Sequence, residues 1–338
     1  MTLARILFSS SQRQPDATAI VDGKKRLNYG DWQTEIRRLA GGLRELGLMP
    51  GDHLVSVLSN RLETASLYWA CQTLGVIFTP FNWRATAEEV AYVLRDAEAK
   101  MVAYEERSAA SVLPAAGQVG LPKERLIHVE PEGDGIVFAD LLLAQPFDGS
   151  LDEDDRAISL MLYTSGTTGR PKGVPRSYAA ERTATLSCLA QLHYRHGEVS
   201  LGVMPLFHTM GIRSLLMSVF LNGTFICMPT YDTEAALSSI ENEKITALFL
   251  VPTMFHDIVN HPKITETDLS SIDNIAFAGM SKTTALVERC AAVFPGALFS
   301  NFYGSSEIYT FAVRNHQAEN PSSAGLPGIG QTLRVVRG

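Results

Sequence analysis

A chain of 338 residues has room for about two domain-sized units, each able to bury a core of its own. Its 46% hydrophobic and 19% charged residues are ordinary for a globular protein, and a net charge of -7 argues against the basic surface that nucleic-acid binding requires. Cys71, Cys188, Cys227 and Cys290 lie far apart with no CxxC spacing, so neither a zinc site nor a disulfide framework is indicated and a reduced, cytoplasmic setting fits.

At the N-terminus "LARILF" is too short for the apolar region of a secretory signal. "ATAIVD" reads as a strand, and after "LNYGD", where Asn28 can cap, "WQTEIRRLAGGLRELG" carries apolar residues at helical spacing. "HLVSVLS" is the next strand, "RLETASLYWACQTLG" a helix and "VIFTPF" a strand again. Thr86 and Glu89 form a capping box before "VAYVLRDAEA", and "KMVAY" closes the first series. An irregular acidic stretch follows, and a boundary is placed near Asp155, giving units of 1–155 and 156–338. Beyond it "AISLMLY", "EVSLGVM", "TFICM", "ITALFL", "NIAFA" and "ALFSNFY" are strand candidates with helical patterns between most of them. The longest apolar run, "SLLMSVFLNGTFICMP", is broken by Asn222 and Gly223, so no integral membrane segment is expected. Strands alternating with helices in this way predict an α/β fold with parallel-rich sheets covered on both faces.

The stretch "YTSGTTGRPKG", Tyr163 to Gly173, concentrates hydroxyls, glycines and two cations. It follows a fully apolar strand and precedes the helical "SYAAERTATLSCLAQLH", so it is expected to join a strand to a helix, with Ser177 as a cap. Glycine lets the backbone approach closely, and exposed N–H groups, hydroxyls and a cation suit a phosphate chain. Read by itself it is a phosphate loop or a flexible polar loop. The Walker form is excluded: Pro171 stands in place of its second glycine and Gly173 in place of the magnesium-binding hydroxyl. The nearest approach to a hydrolase elbow, "GMSKT", lacks the final glycine.

"YTSGTTGRPKGV" resembles the signature of the adenylate-forming superfamily of acyl-CoA synthetases, adenylation domains and luciferases. "NFYGSSE", Asn301 to Glu307, is similar to that family's second core motif and ends a strand, at the sheet edge where ligands bind in open α/β folds. The resemblance implies that Thr164, Ser165, Gly166, Thr167, Thr168, Gly169 and Lys172 hold the ATP phosphates. It implies further that Tyr303 packs on adenine beside Gly304, that Ser306 meets the α-phosphate in place of the usual threonine, and that Glu307 holds Mg²⁺. "FAGMSKT" looks like the segment beside the adenine and acyl pocket, which brings in Gly279, with Ala278 and Met280 bulkier than usual. "MPLFHTMGI" resembles the segment that brings His208 to the acyl tunnel; without the resemblance, His208 is as readily a structural histidine at a loop–helix junction. Amino-acid-activating relatives carry an aspartate here to pair the substrate ammonium, and "PLFHTMG" has none.

The resemblance runs from about residue 16 to the end, and implies an AMP-forming acid–CoA ligase acting with ATP, Mg²⁺ and CoA on a small carboxylic acid, with a homodimer allowed. The alternatives are an adenylation domain loading an acyl carrier protein, and an ATP-binding module without turnover. Arg213 keeps a dicarboxylate substrate open. The sequence stops at Gly338, just after "AGLPG", where relatives continue with a ribose-binding aspartate, a hinge and a small C-terminal domain carrying a catalytic lysine. The C-terminal lid is therefore expected to be missing and the chain to be a fragment.

Overall fold

In the computed structural model, which describes residues 2–149, 154–164, 170–334 and 336, every run read above as a strand is a strand. Contacts divide the chain into two units: Met1–Ala17, Leu27–Arg182 and Leu206–His208 form the first, Thr18–Arg26, Thr183–Pro205 and Thr209–Gly338 the second. The units are thus interleaved along the chain, whereas a single cut near Asp155 was expected. The early strand Thr18–Asp22 pairs in parallel with Thr224–Cys227 of the second unit.

Among the described residues the first sheet has seven strands in the order Ile136–Val137, Leu126–His128, Met101–Tyr104, His53–Val57, Ile77–Pro80, Ile158–Thr164 and Lys172–Ser177. All neighbours are parallel except the last pair. Val55, Val57, Val102 and Tyr104 bury one face against Val90, Val93 and Leu94 of the helix Ala87–Asp96 and Val112 and Ala115 of the helix Glu106–Val119. The helix Leu62–Leu74 is buried all round, and some of its polar groups find internal partners. Trp32 Nε1 donates to Ser66 Oγ at 2.9 Å, and Gln72 Nε2 donates to the Ser159 carbonyl at 3.2 Å. The caps form as the sequence implies: Asn28 Oδ1 accepts from the Asp31 amide, Thr86 and Glu89 complete a capping box, and Ser177 Oγ accepts from the Ala180 amide. A helix at Leu3–Arg13, capped by Thr2, was not expected from the sequence.

The second sheet has nine strands among the described residues, ordered Leu326–Pro327, Ala312–Arg314, Leu298–Tyr303, Asn274–Phe277, Ala247–Leu250, Val199–Gly202, Thr224–Cys227, Thr18–Asp22 and Lys25–Asn28. Its centre is parallel and both faces are covered. Leu248, Leu250, Ile275 and Phe277 pack with Leu237, Ile240, Phe255 and Ile258, while the alternating residues Phe249, Ala276 and Ala278 pack with Cys188, Leu189, Leu192 and Met217. The fold is α/β with two largely parallel sheets flanked by helices.

One local expectation fails. The stretch after Tyr163 does not lead from strand to helix; it leads from strand to antiparallel strand, Lys172–Ser177, and the helix Tyr178–Leu192 begins only after that. "KGVPRS" alternates, with Val174 and Arg176 buried and Lys172, Gly173 and Pro175 exposed, and a proline is tolerated because the strand lies at the sheet edge. Arg176 points inward to Glu181, which is fully buried, with Nε to Oε1 at 3.1 Å. Removing one member of such a pair strands a buried charge. Glu181→Ala should therefore cost about 3 kcal/mol of unfolding free energy, whereas the joint replacement Arg176→Met with Glu181→Leu recovers most of it. Urea denaturation followed by circular dichroism checks this, and a wild-type midpoint for Glu181→Ala would contradict it.

Candidate functional site

The residues singled out in the sequence fall into both units. In the first, Thr164 and Lys172 are cross-strand partners at the end of the antiparallel pair, Thr164 partly buried and Lys172 exposed. They are the two posts of the loop; Ser165, Gly166, Thr167, Thr168 and Gly169 lie outside the described residues. Behind the posts, Tyr163 packs edge-on against Phe81, and its hydroxyl donates to Asp96 Oδ2 at 2.7 Å. Burial, and then the Asp96 carboxylate, raise the Tyr163 pKa well above its usual range, so the phenol stays a donor. Tyr92 Oη also donates to Asp96, and the Arg170 guanidinium lies 6.0 Å from the Tyr92 ring. Asp96 is thus a tether for the strand end, which the sequence reading missed because the contact spans 67 positions. A polar cleft of about 710 Å³ opens beside this tether, lined by Glu88, Arg95, Asp96, Arg170 and Pro171 among others.

His208, also in the first unit, sits where "MPLFH" ends and the helix Thr209–Phe220 begins. The segment is pinned by the Leu206 amide, which donates to the buried Asn60 Oδ1 at 2.8 Å, and the imidazole stacks obliquely on Phe207 with ring centres 4.6 Å apart. His208 is exposed, yet lost solvation lowers its pKa below the ordinary 6.5, which favours the neutral ring at neutral pH.

In the second unit, "YGSSEIY" spans the turn between two antiparallel strands, with Tyr303 paired to Ala312. The Ser305 amide donates to the Ile308 carbonyl at 3.0 Å, so Ser306 and Glu307 occupy the two central positions of a tight turn. Glu307 is exposed and Ser306 half-buried. Tyr303 is 58% exposed, with its ring tilted against Phe311, leaving much of its surface open to a flat partner. Gly304 is required by close approach: a Cβ there would lie 1.8 Å from the Tyr309 carbonyl oxygen. Gly279 has a left-handed backbone with φ of +84°, and a Cβ there would meet Val251 and Met210. Ala278 is buried in the core, so its bulk does not face solvent, whereas Met280 is 55% exposed.

Thr209, which the sequence did not single out, and Arg213, which it connected only with a dicarboxylate substrate, hold this turn. Thr209 Oγ1 donates to Ser306 Oγ at 3.3 Å, and the Arg213 guanidinium lies 4.1 Å above the Tyr309 ring while donating to Thr185 Oγ1. Arg213 is 1% exposed. A cation so enclosed and so engaged is part of the scaffold, which removes the support it lent to a dicarboxylate substrate. The spacing of Thr209 and Arg213, one helical turn, was the signal available in the sequence.

A family model for AMP-binding enzymes matches residues 7–337. A feruloyl-CoA synthase from an Amycolatopsis species is 30% identical over 330 residues, covering 96% of this chain and 64% of that protein. The fatty acid–[acyl-carrier-protein] ligase ScoC of Streptomyces coeruleorubidus is 28% identical, covering 97% of this chain and 62% of ScoC. Among solved structures, a protein assigned as a long-chain-fatty-acid CoA ligase from Rhodopseudomonas palustris superposes with a TM-score of 0.89 at 27% identity, over 100% of this chain and 84% of that one. The chain therefore spans a little under two thirds of the curated relatives it matches.

Two outcomes follow from the geometry. Gly304→Ala should cost about 1–3 kcal/mol through the forced contact with the Tyr309 carbonyl, whereas Gly296→Ala, where a Cβ meets nothing, should be close to neutral. Equal thermal midpoints for the two variants would contradict the close approach. By NMR the His208 ring should titrate below 6.5. Because its folded pKa is the lower one, its contribution to stability is present above 6.5 and fades as pH falls towards the folded value. A midpoint above 6.5 would overturn the assignment of a desolvated ring.

Proposed function

Starting from the fact that this chain belongs to the AMP-binding enzyme family, we propose that it is the adenylating region of an AMP-forming acid–thiol ligase, activating a carboxylic acid with ATP and passing the acyl group to CoA. The observation that carries this reading is the pair of motifs, each mounted at the carboxyl end of a parallel strand and returned by an antiparallel one. In the first step a carboxylate oxygen attacks the α-phosphorus of ATP, forming the acyl–adenylate bond as the bond to pyrophosphate breaks. In the second, a thiolate attacks the acyl carbon and AMP leaves. Neither step needs a protein nucleophile; both need neutralised charge and alignment.

The roles then follow residue by residue. Lys172 neutralises charge on the β- and γ-phosphates alongside the amides and hydroxyls of Thr164 and of Ser165 to Gly169. Tyr303 offers its open face to adenine, with Gly304 and Gly279 permitting close passage of the nucleotide. Ser306 donates a hydrogen bond to an α-phosphate oxygen, whose charge rises during the attack. His208, held neutral, borders the acyl group without bringing a cation next to the carboxylate. Among the described residues no group of three or more His, Cys, Asp or Glu forms a metal site. Mg²⁺ is ordinarily held by one or two carboxylates together with substrate phosphates, so in this reading it enters with ATP. Glu307 would be the protein's carboxylate for it, and the ion would supply charge neutralisation on the phosphates.

The substrate in this reading is a monocarboxylate with an apolar or aromatic body. No aspartate is available in "PLFHTMG" to pair an ammonium, and Met280, Tyr303 and Ile308 present large apolar surface in the unit that carries the second motif. The feruloyl-CoA synthase relative fits the same class. ScoC supports one variation, transfer to a carrier-protein thiol instead of CoA. Among the described residues no helix is long and apolar enough to cross a membrane; we read the setting as cytoplasmic, and a homodimer is compatible with it.

The test is acid-dependent exchange of labelled pyrophosphate into ATP, with cinnamic, benzoic and aliphatic acids offered in turn. Exchange with at least one acid is expected, and Lys172→Met should lower kcat/KM for ATP by about 100-fold. No exchange with any of them would sink the proposal. Supplying CoA or a pantetheinyl carrier in the second step separates the two acceptors.

A further inference from the structure

The helix Thr209–Phe220 is apolar and buried along most of its length, yet carries an arginine at its fifth position. Burying a guanidinium in such surroundings is costly, and a leucine or methionine would fill the volume without that cost. Its contacts show what it supplies instead. The planar head lies 4.1 Å over the Tyr309 ring and donates to Thr185 Oγ1 on the helix Tyr178–Leu192. One turn earlier on the same helix, Thr209 donates to Ser306 Oγ at 3.3 Å. Residues four apart share a helix face, so one face grips the turn at two points: its centre at Ser306 and its returning limb at Tyr309.

The returning limb matters because Gly304 packs directly on it. With the Tyr309 carbonyl where a Gly304 Cβ would be, and the Ser305 amide bonded to the Ile308 carbonyl, the outgoing and returning limbs move as one piece. A shift of Tyr309 therefore shifts Ser306 and Glu307. We propose that Arg213 is a positioning residue for this turn: it holds the Tyr309 ring in place and, with Thr209, fixes where the Ser306 hydroxyl and Glu307 carboxylate stand relative to bound nucleotide. Arg213 touches neither ATP nor acid. The inference rests on the reading of the turn as a nucleotide site, but the clamp itself is a property of the fold.

Wild type, Arg213→Lys, Arg213→Met, Thr185→Val and Tyr309→Leu are compared by calorimetric ATP affinity and by amide hydrogen exchange over residues 304–309 and over the sheet strands. Arg213→Lys and Arg213→Met should each weaken ATP binding about tenfold and speed exchange in the turn, with strand protection unchanged. Arg213→Met combined with Tyr309→Leu should be no worse than either alone, since both break the same contact. Thr185→Val, which leaves the charge in place and loosens only its anchor, should shift both readouts in the same direction by less. If Arg213→Met does not fold, the Lys and Val variants carry the test. Wild-type affinity and wild-type turn exchange in the variants would overturn the proposal, as would exchange accelerated evenly through the second unit, which a purely structural arginine would produce. Failure of wild type to bind ATP would instead overturn the nucleotide reading, and the turn exchange alone would then decide whether the clamp exists.

Discussion

The constraint on which the rest depends is the way two parallel strands end. In each sheet a buried strand runs to its carboxyl edge and the chain returns antiparallel beside it: Thr164 pairs with Lys172 in one, Tyr303 with Ala312 in the other. A helix crossover would have carried the chain away from the edge over a dozen or more residues. The hairpin return holds both ends of a short polar segment within strand-pairing distance, so side chains and amides are presented from a fixed base. Groups that bind ligands are generally set on a rigid mount in this way.

Each mount is braced from behind by groups distant in sequence. In the first unit Asp96 accepts from the Tyr163 hydroxyl, and the phenol's raised pKa keeps that donor protonated over any working pH. In the second, the Gly304–Tyr309 contact welds the two limbs together, and Thr209 and Arg213 hold the weld against a helix. In the second unit the bracing Thr209 is half-buried and Arg213 buried while Tyr303 and Glu307 are exposed, which is the division expected when some residues meet a ligand and others hold them still.

Much of this was legible in the sequence because it rests on local periodicity. The central strands alternate or run apolar, the caps at Asn28, Thr86 and Ser177 are short-range, and "YTSGTTGRPKG" and "YGSSE" carry their chemistry in their residue types. What was not legible depends on long-range pairing. "KGVPRS" is short, holds a proline and buries an arginine, so nothing local marks it as a strand; it becomes one because Ile158–Thr164 offers it an edge and Glu181 receives its cation. Arg213 looked like a candidate for substrate because a lone cation in an apolar run invites that reading, and only Thr185 and Tyr309, 28 positions before it and far after, show otherwise. The interleaving of the two units has the same origin: Thr18–Asp22 reads as the first strand of the first unit, and is claimed by a partner some 200 residues on.

In the proposed reaction the carboxylate attacks the α-phosphorus of ATP. The most direct measurement is the fate of heavy oxygen supplied in the carboxylate of an accepted acid. Attack at the α-phosphorus leaves one labelled oxygen on AMP once the acyl group has been transferred to a thiol, and that is the predicted result. Label appearing in inorganic phosphate, with ADP as the other product, would mean attack at the γ-phosphorus and would contradict the account.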